Sequence, residues 1–236
     1  MNSFFQDNNS FINYTTQHYI SVVIFIAIGI IFNLIGKYKL IGDDRYKFIV
    51  FILSFVFIFQ VMKVFVMQYK GVFDYKTDLP LHLCNMSPLF LLLAYYFRSR
   101  LAWSIFFLWI MSGTFQSLIT PTLHQSFPNY EWWRYWIIHA WLVTGAFYGI
   151  VVFGYRIKFS DIFKALLWLN ILAFVIFLIN TQLGSNYMYM QGKPDGKTLY
   201  NALLDWPYYI IQLEFLAIFF FSLIYLPFRF IHKKAE

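Results

Sequence analysis

The stretch FIVFILSFVFIFQVMKVFVM, Phe48 to Met67, holds twenty residues and one charge, Lys63. A helix needs roughly 20 mostly apolar residues to cross the hydrocarbon of a bilayer, and this run meets that length with nothing to spare for a solvated face. Six more segments share its character: Tyr19–Leu34 before it, and Leu81–Phe97, Leu101–Ile119, Trp136–Phe153, Ile162–Asn180 and Tyr208–Phe230 after it. The fold class that follows is all-α, a polytopic membrane bundle of about seven transmembrane helices. It reads as one domain over residues 1–236, with no internal repeat. Most connections are short. The longest runs from about Thr181 to Pro207 and carries Gly184, Gly192, Pro194 and Gly196, all turn formers.

Composition supports lipid as the solvent. Of 236 residues, 60% are hydrophobic, 24% aromatic and only 12% charged, against about 25% charged in soluble domains. The net charge of +7 sits in short loops, where anionic lipid is its natural partner; no nucleic-acid partner is expected. The polar stretch Met1–His18 lacks the basic and apolar regions of a cleavable signal peptide, so Tyr19–Leu34 is read as the first span. Lys and Arg set the orientation. One set of alternate loops carries twelve, among them Lys37, Arg45, Arg98, Arg100, Arg156 and Lys233; the other carries five, Lys70, Lys76, Arg134, Lys193 and Lys197. The richer side is cytoplasmic, which puts the N-terminus outside, the C-terminus inside and the chain in the cell membrane as a multi-pass protein. A six-span reading breaks this alternation.

Polar groups inside a membrane are costly and ask for a reason. In this topology Gln60 and Lys63 fall in the outer half of span 2, His82, Cys84 and Asn85 in the first turns of span 3, and Gln116 near the outer end of span 4. His139 lies one to two turns into span 5, and Gln212 and Glu214 in the outer half of span 7. Inner halves are cleaner, Asn33 and Asn170 excepted. The pattern implies a polar cavity on the outer half of the membrane. Interhelical hydrogen bonds are the plainer account of any one of these groups; the shared depth on five spans favours the cavity. Lys63 either snorkels to headgroups or pairs with Glu214. Trp132, Trp133, Trp136 and Trp141, with Tyr130 and Tyr135, read as an interfacial belt, and His18 and His124 as solvated loop residues. The uncharged run Asn186-Tyr-Met-Tyr-Met190 is either a lid over the cavity or an interfacial segment.

Cys84 is the chain's only cysteine, so no internal disulfide forms. Asp78-Leu-Pro80 reads as a helix start, with Asp78 capping and Pro80 in the first turn. Pro88 removes the helical partner of the Cys84 carbonyl, so a bend is expected there. A lone membrane cysteine is most often packing material; as a nucleophile it needs a base or a cation nearby. On a regular helix His82 and Cys84 point about 200° apart, which favours His139 as the base. An irregular start to the span would reverse that ranking. A metal site from His82, Cys84, His139 and Glu214 is chemically conceivable but lacks zinc spacing, and neither metal nor cofactor is expected.

Leu81-His-Leu-Cys-Asn85 at the start of a span, Thr120-Pro121 in an outer loop, His139 on the next span, the Asn186–Met190 run, Pro194 and Trp206-Pro207 together resemble the YwaF-like family of bacterial integral membrane proteins. The likeness covers roughly Leu79 to Tyr209. That family is distantly similar to a eukaryotic transmembrane acyltransferase that remodels ether phospholipids through a cysteine. The resemblance implies a thioester on Cys84, with His139 or His82 as base. The leading expectation is thus a lipid-modifying enzyme acting on phospholipid or lysophospholipid by acyl transfer or acyl-ester cleavage. His82, Asn85 or Gln116 would stabilise the oxyanion, while Lys63, Gln212, Glu214, Asn186 and Tyr187 would bind substrate. A small-molecule transporter using the same groups is the runner-up, a scaffold the third reading. Homo-oligomerisation stays open.

Overall fold

A computed structural model describes residues 4–5, 10–194 and 199–233. Among the described residues seven long helices follow one another: α1 Thr16–Tyr38, α2 Asp43–Tyr69, α3 Leu83–Tyr96, α4 Arg100–Ile119, α5 Tyr130–Phe153, α6 Phe159–Leu183 and α7 Tyr208–Lys233. All but α3 are long and apolar enough to cross a membrane. At 14 residues, α3 rises only about 21 Å, short of a ~30 Å hydrocarbon core. The expected third span at Leu81–Phe97 is therefore helical only in part. Pro88 lies inside α3 without ending it. The expected helix start at Asp78 is not where α3 begins, because Asp78 spends its carboxylate elsewhere, as described below.

Contacts divide the chain into two compact units, residues 1–60 with 87–156 and residues 61–86 with 157–236. In the first, α5 is the central helix. Small residues let its neighbours close on it, as is usual where helices pack in lipid. Gly149 lies under the Trp103 indole of α4, where an added Cβ would come within 2.2 Å of Nε1, and Gly29 of α1 meets Thr144 Oγ1 at 2.4 Å from such a Cβ. Two buried side chains donate to α5 carbonyls: Trp103 Nε1 to Ala146 (3.0 Å) and Tyr95 Oη to Gly145 (2.6 Å). Ile49, Leu53, Val56 and Gln60 form the buried stripe of α2 at helical spacing. Gly154, at φ +67°, terminates α5 in the left-handed conformation that glycine adopts without strain.

Five residues of α4, Ile110–Thr114, form a π turn, a feature common beside functional sites. Beyond it, the last carbonyls of α4 are capped by other elements: Ser117 O accepts from Tyr135 Oη (2.8 Å) and Leu118 O from His18 Nε2 (3.0 Å). His18 is thus buried inside α1, not solvated, because capping a helix end in an apolar setting needs a polar partner. The expected aromatic belt is corrected too. Tyr130, Trp132, Tyr135 and Trp136 are buried in a core with Phe11, Leu118 and Leu123. Phe11 is tied to the loop at that end, its N–H donating to His124 O.

In the second unit α6 and α7 pack side by side, and both leave large apolar faces uncovered, among them Phe163, Leu167, Phe174, Phe215 and Phe219. The described parts of the long connection between them carry short 3₁₀ turns at Tyr187–Tyr189 and Leu199–Ala202.

Candidate functional site

Cys84 stands in the first turn of α3, half-buried. Its Sγ lies 3.7 Å from Asn85 Oδ1, a weak thiol contact. The turn is started by the segment ahead of it: the His82 carbonyl accepts from the N–H of both Asn85 and Met86. His82 therefore sits in the loop leading into the helix. The span begins irregularly, and the angular argument against His82 does not apply.

The Asn186–Met190 run folds over this loop as a lid. Asn180 Nδ2 donates to Tyr187 O and its Oδ1 accepts from Tyr187 N–H and Ser185 Oγ, all within 2.9 Å. So held, fully buried Tyr187 reaches across to the loop, where its hydroxyl donates to Tyr75 O (2.7 Å) and accepts from Leu79 N–H (3.0 Å). Next to it the Met188 N–H donates to His82 Nδ1 at 3.3 Å. The His82 ring packs against Tyr187 and Tyr189 at 5.3 and 5.2 Å. Met188 and Tyr189 both take positive φ, a strained conformation for side chains of this size. Asn186 closes the lid on itself, donating to Gly192 O and accepting from Gln191 N–H.

Lys63 pairs with Asp78 at 2.8 Å, each side chain only about 15% exposed, at 16% and 14%. The other Asp78 oxygen accepts from Asp74 N–H. The expected partner Glu214 instead accepts from Asn170 Nδ2 (3.1 Å). Asp78 was passed over because it looked committed to a helix cap. Burial, with the Lys63 ammonium adding to it, pushes the His82 imidazole from its ordinary 6.5 down to about 4. His82 is therefore neutral at pH 7. Gln212 serves the connection, its Oε1 accepting from Leu204 N–H at 2.7 Å.

His139 belongs to the first unit. It is buried in α5, its Nδ1 lies 2.7 Å from Tyr135 O, and its ring stacks on the Tyr135 ring at 4.2 Å. Gln116 is exposed and donates to Ser112 O of its own helix.

The two imidazoles are distinguishable without seeing a proton. A backbone carbonyl only accepts, so His139 Nδ1 carries the hydrogen and Nε2 the lone pair. A backbone N–H only donates, so His82 Nδ1 carries the lone pair and Nε2 the hydrogen. In these tautomers His139 Nε2 can accept a hydrogen bond and His82 Nε2 can donate one.

Three features escaped the sequence reading. Asn180 looked like the end of a span, and nothing local marks it as the lid's anchor. Asp78 as the partner of Lys63 depends on how the loop after α2 turns back on the helix, which no local spacing marks. The third is legible in spacing: Glu131 and Arg134, three apart on α5, pair through both Nε and Nη2 (3.0 and 2.7 Å), and Arg134 Nη1 donates to buried Gln60. Among the described residues no cluster of three or more His, Cys, Asp or Glu is placed to hold a metal.

Long apolar helices, buried polar hydrogen bonds and a folded polar loop define the class: a multi-pass helical membrane protein. Within that class the chain belongs to the TMEM164 family, whose model matches residues 13–225. No curated protein and no solved structure matches it.

Proposed function

We propose that the protein is a lipid-modifying enzyme of the cell membrane that moves or cleaves an acyl group through a thioester on Cys84, with phospholipid or lysophospholipid as substrate. The observation that carries this reading is the fixed tautomer of His82, two residues from Cys84 and in the same compact unit. It puts the ring hydrogen on Nε2, the kind of donor that acyl transfer needs for its oxyanion besides the nucleophile and a base. The resemblance of the Leu81–Asn85 motif to YwaF-like bacterial proteins and their distant acyltransferase relative points the same way.

In the first half-reaction the Cys84 thiol passes its proton to a general base while sulfur bonds to the acyl carbon. The carbonyl oxygen becomes an oxyanion, for which His82 Nε2–H is the assigned donor. The ester C–O bond breaks, and the departing oxygen takes the proton from the base. In the second half, a lysolipid hydroxyl or water gives its proton to the base and attacks the thioester. The C–S bond breaks and Cys84 recovers the proton. Lys63, Asn85, Asn186, Tyr187, Gln212 and Glu214 are the assigned substrate-side residues. The Lys63–Asp78 pair supports a binding rather than a proton-transfer role for Lys63, since its charge is already matched.

The test is acyl exchange by purified protein in phospholipid nanodiscs with added lysophospholipid. Wild type transfers, and Cys84→Ala, which lacks the nucleophile, loses at least about 100-fold. Equal rates in wild type and Cys84→Ala refute the reading.

A further inference from the structure

We infer that the first unit holds a binding site for an uncharged single-chain lipid with a hydroxyl-bearing head group, of the monoacylglycerol class, in a cavity bounded by α1, α4 and α5. The inference stands apart from the proposed function, since none of Cys84, His82, His139 and Lys63 lines this cavity. Its volume is about 380 Å³, within the range of small-molecule sites. Its walls are apolar, with Val22, Phe25 and Ile26 from α1, Phe115 and Leu118 from α4 and Val143 from α5. Among the described residues no charged side chain lines it, so whatever it buries is neutral. Phe25 stacks on Trp136 at 6.0 Å and holds α1 against α5. The π turn at Ile110–Thr114 comes just ahead of Phe115 and Leu118. Its wider turn displaces both from where a regular helix would put them.

Asn33 defines the polar end. Its Nδ2 donates to Gly29 O (2.9 Å) and Thr144 O (3.4 Å). Both partners are carbonyls, which only accept, so the amino group must face them. That leaves Oδ1 as the remaining atom, buried and without a partner, on a cavity-lining side chain only 6% exposed. A buried acceptor in such surroundings calls for a donor. A carboxylate or a phosphodiester offers none and brings a charge; a hydroxyl offers one and brings no charge. Asn33 stands five residues before Tyr38, the end of α1, which is about 8 Å of helix and suits a small head group just below the interface. From Asn33 to Val22 the wall of α1 runs eleven residues, about 16 Å. Half of a ~30 Å hydrocarbon core is close to that length, so the wall matches one lipid chain. Ile26, Ile30 and Leu34 on the same wall are exposed, which gives the chain a lateral entrance.

The test uses a monoacylglycerol with a photoreactive diazirine on its chain, crosslinked to the full protein in phosphatidylcholine nanodiscs, with adducts mapped by mass spectrometry. Adducts are expected on the cavity-lining residues of α1 and α5, and unlabelled monoacylglycerol should displace the probe. The analogue with both hydroxyls methylated should compete about 3- to 10-fold more weakly, the weight of one hydrogen bond. Fatty acid and lysophospholipid, both charged, should compete more weakly still. Asn33→Leu should abolish the preference for free hydroxyls, and Ala140→Phe, which fills the cavity, should lose the adducts. Adducts scattered over all lipid-facing helices overturn the site. Equal competition by the methylated analogue in wild type, as a plain packing gap would give, overturns the hydroxyl assignment. Stronger competition by fatty acid or lysophospholipid overturns the ligand class. Should either variant fail to fold in thermal unfolding, the competitor series on wild type decides alone.

Discussion

Acidification should unlatch the lid, and the structure sets the size of the effect. The Met188 N–H donates to the lone pair of His82 Nδ1; an imidazolium has no lone pair there, so protonation breaks the latch. With the lid closed, burial and Lys63 hold the imidazole at about 4, and with the lid open it returns toward 6.5. The closed-state value is the lower one. Closure is therefore fully favoured above pH 6.5 and weakens as pH falls toward 4, because the open form binds more protons across that window. At pH 5 the two values differ in effect by about 2 kcal/mol, about 30-fold in the opening equilibrium. Amide hydrogen exchange at Met188–Met190 in nanodiscs, corrected for the intrinsic pH dependence of exchange, measures it directly. In His82→Phe the same amides should open more readily at pH 7.5 and show no further change down to pH 5. Protection in wild type that stays flat between pH 7.5 and 5, or that falls equally in His82→Phe, refutes the latch.

Other perturbations test the supports of the same region. Lys63→Met leaves the Asp78 carboxylate without its cation and should cost about 1–3 kcal/mol, less than the 3–5 of a fully buried pair because both groups retain some water; adding Asp78→Asn should recover part of it in detergent unfolding curves. Asn180→Leu removes three hydrogen bonds that hold Ser185 and Tyr187 and should expose the lid to limited proteolysis, with a loss of about 1–3 kcal/mol. Gly149→Ala drives a Cβ into the Trp103 indole and should lower stability by about 1–3 kcal/mol. Gly113→Ala, which meets nothing within 4 Å, should leave the melting temperature within a degree or two.

Length and apolarity made six helices readable, because a membrane demands both at once. The seventh, α3, was placed but overestimated. Its first residues are as apolar as a helix requires, yet the loop ahead of Leu83 satisfies its backbone through turns and the lid instead of a helical ladder. Polar residues were legible as a set but not as partners. Asp78 and Glu214 are both carboxylates within reach of a plausible argument, and sequence spacing does not choose between them. His18 and the tryptophans show the reverse error. A membrane protein buries aromatic rings around its own polar caps as readily as it lines the interface with them, and only the packing of α1, α4 and α5 tells which. Which imidazole carries the lone pair was beyond any sequence reading, since each tautomer is set by one backbone partner: Tyr135 O four residues before His139, and Met188 N–H more than a hundred residues after His82.

The covalent intermediate is the most direct test of the whole account. Purified protein is incubated with phospholipid, quenched in acid and weighed intact. The account predicts a species heavier by one acyl group, discharged by hydroxylamine at neutral pH, absent from Cys84→Ala and accumulating in proportion to acyl donor. Acyl exchange that proceeds with no such adduct, or an adduct that persists in Cys84→Ala, would contradict it.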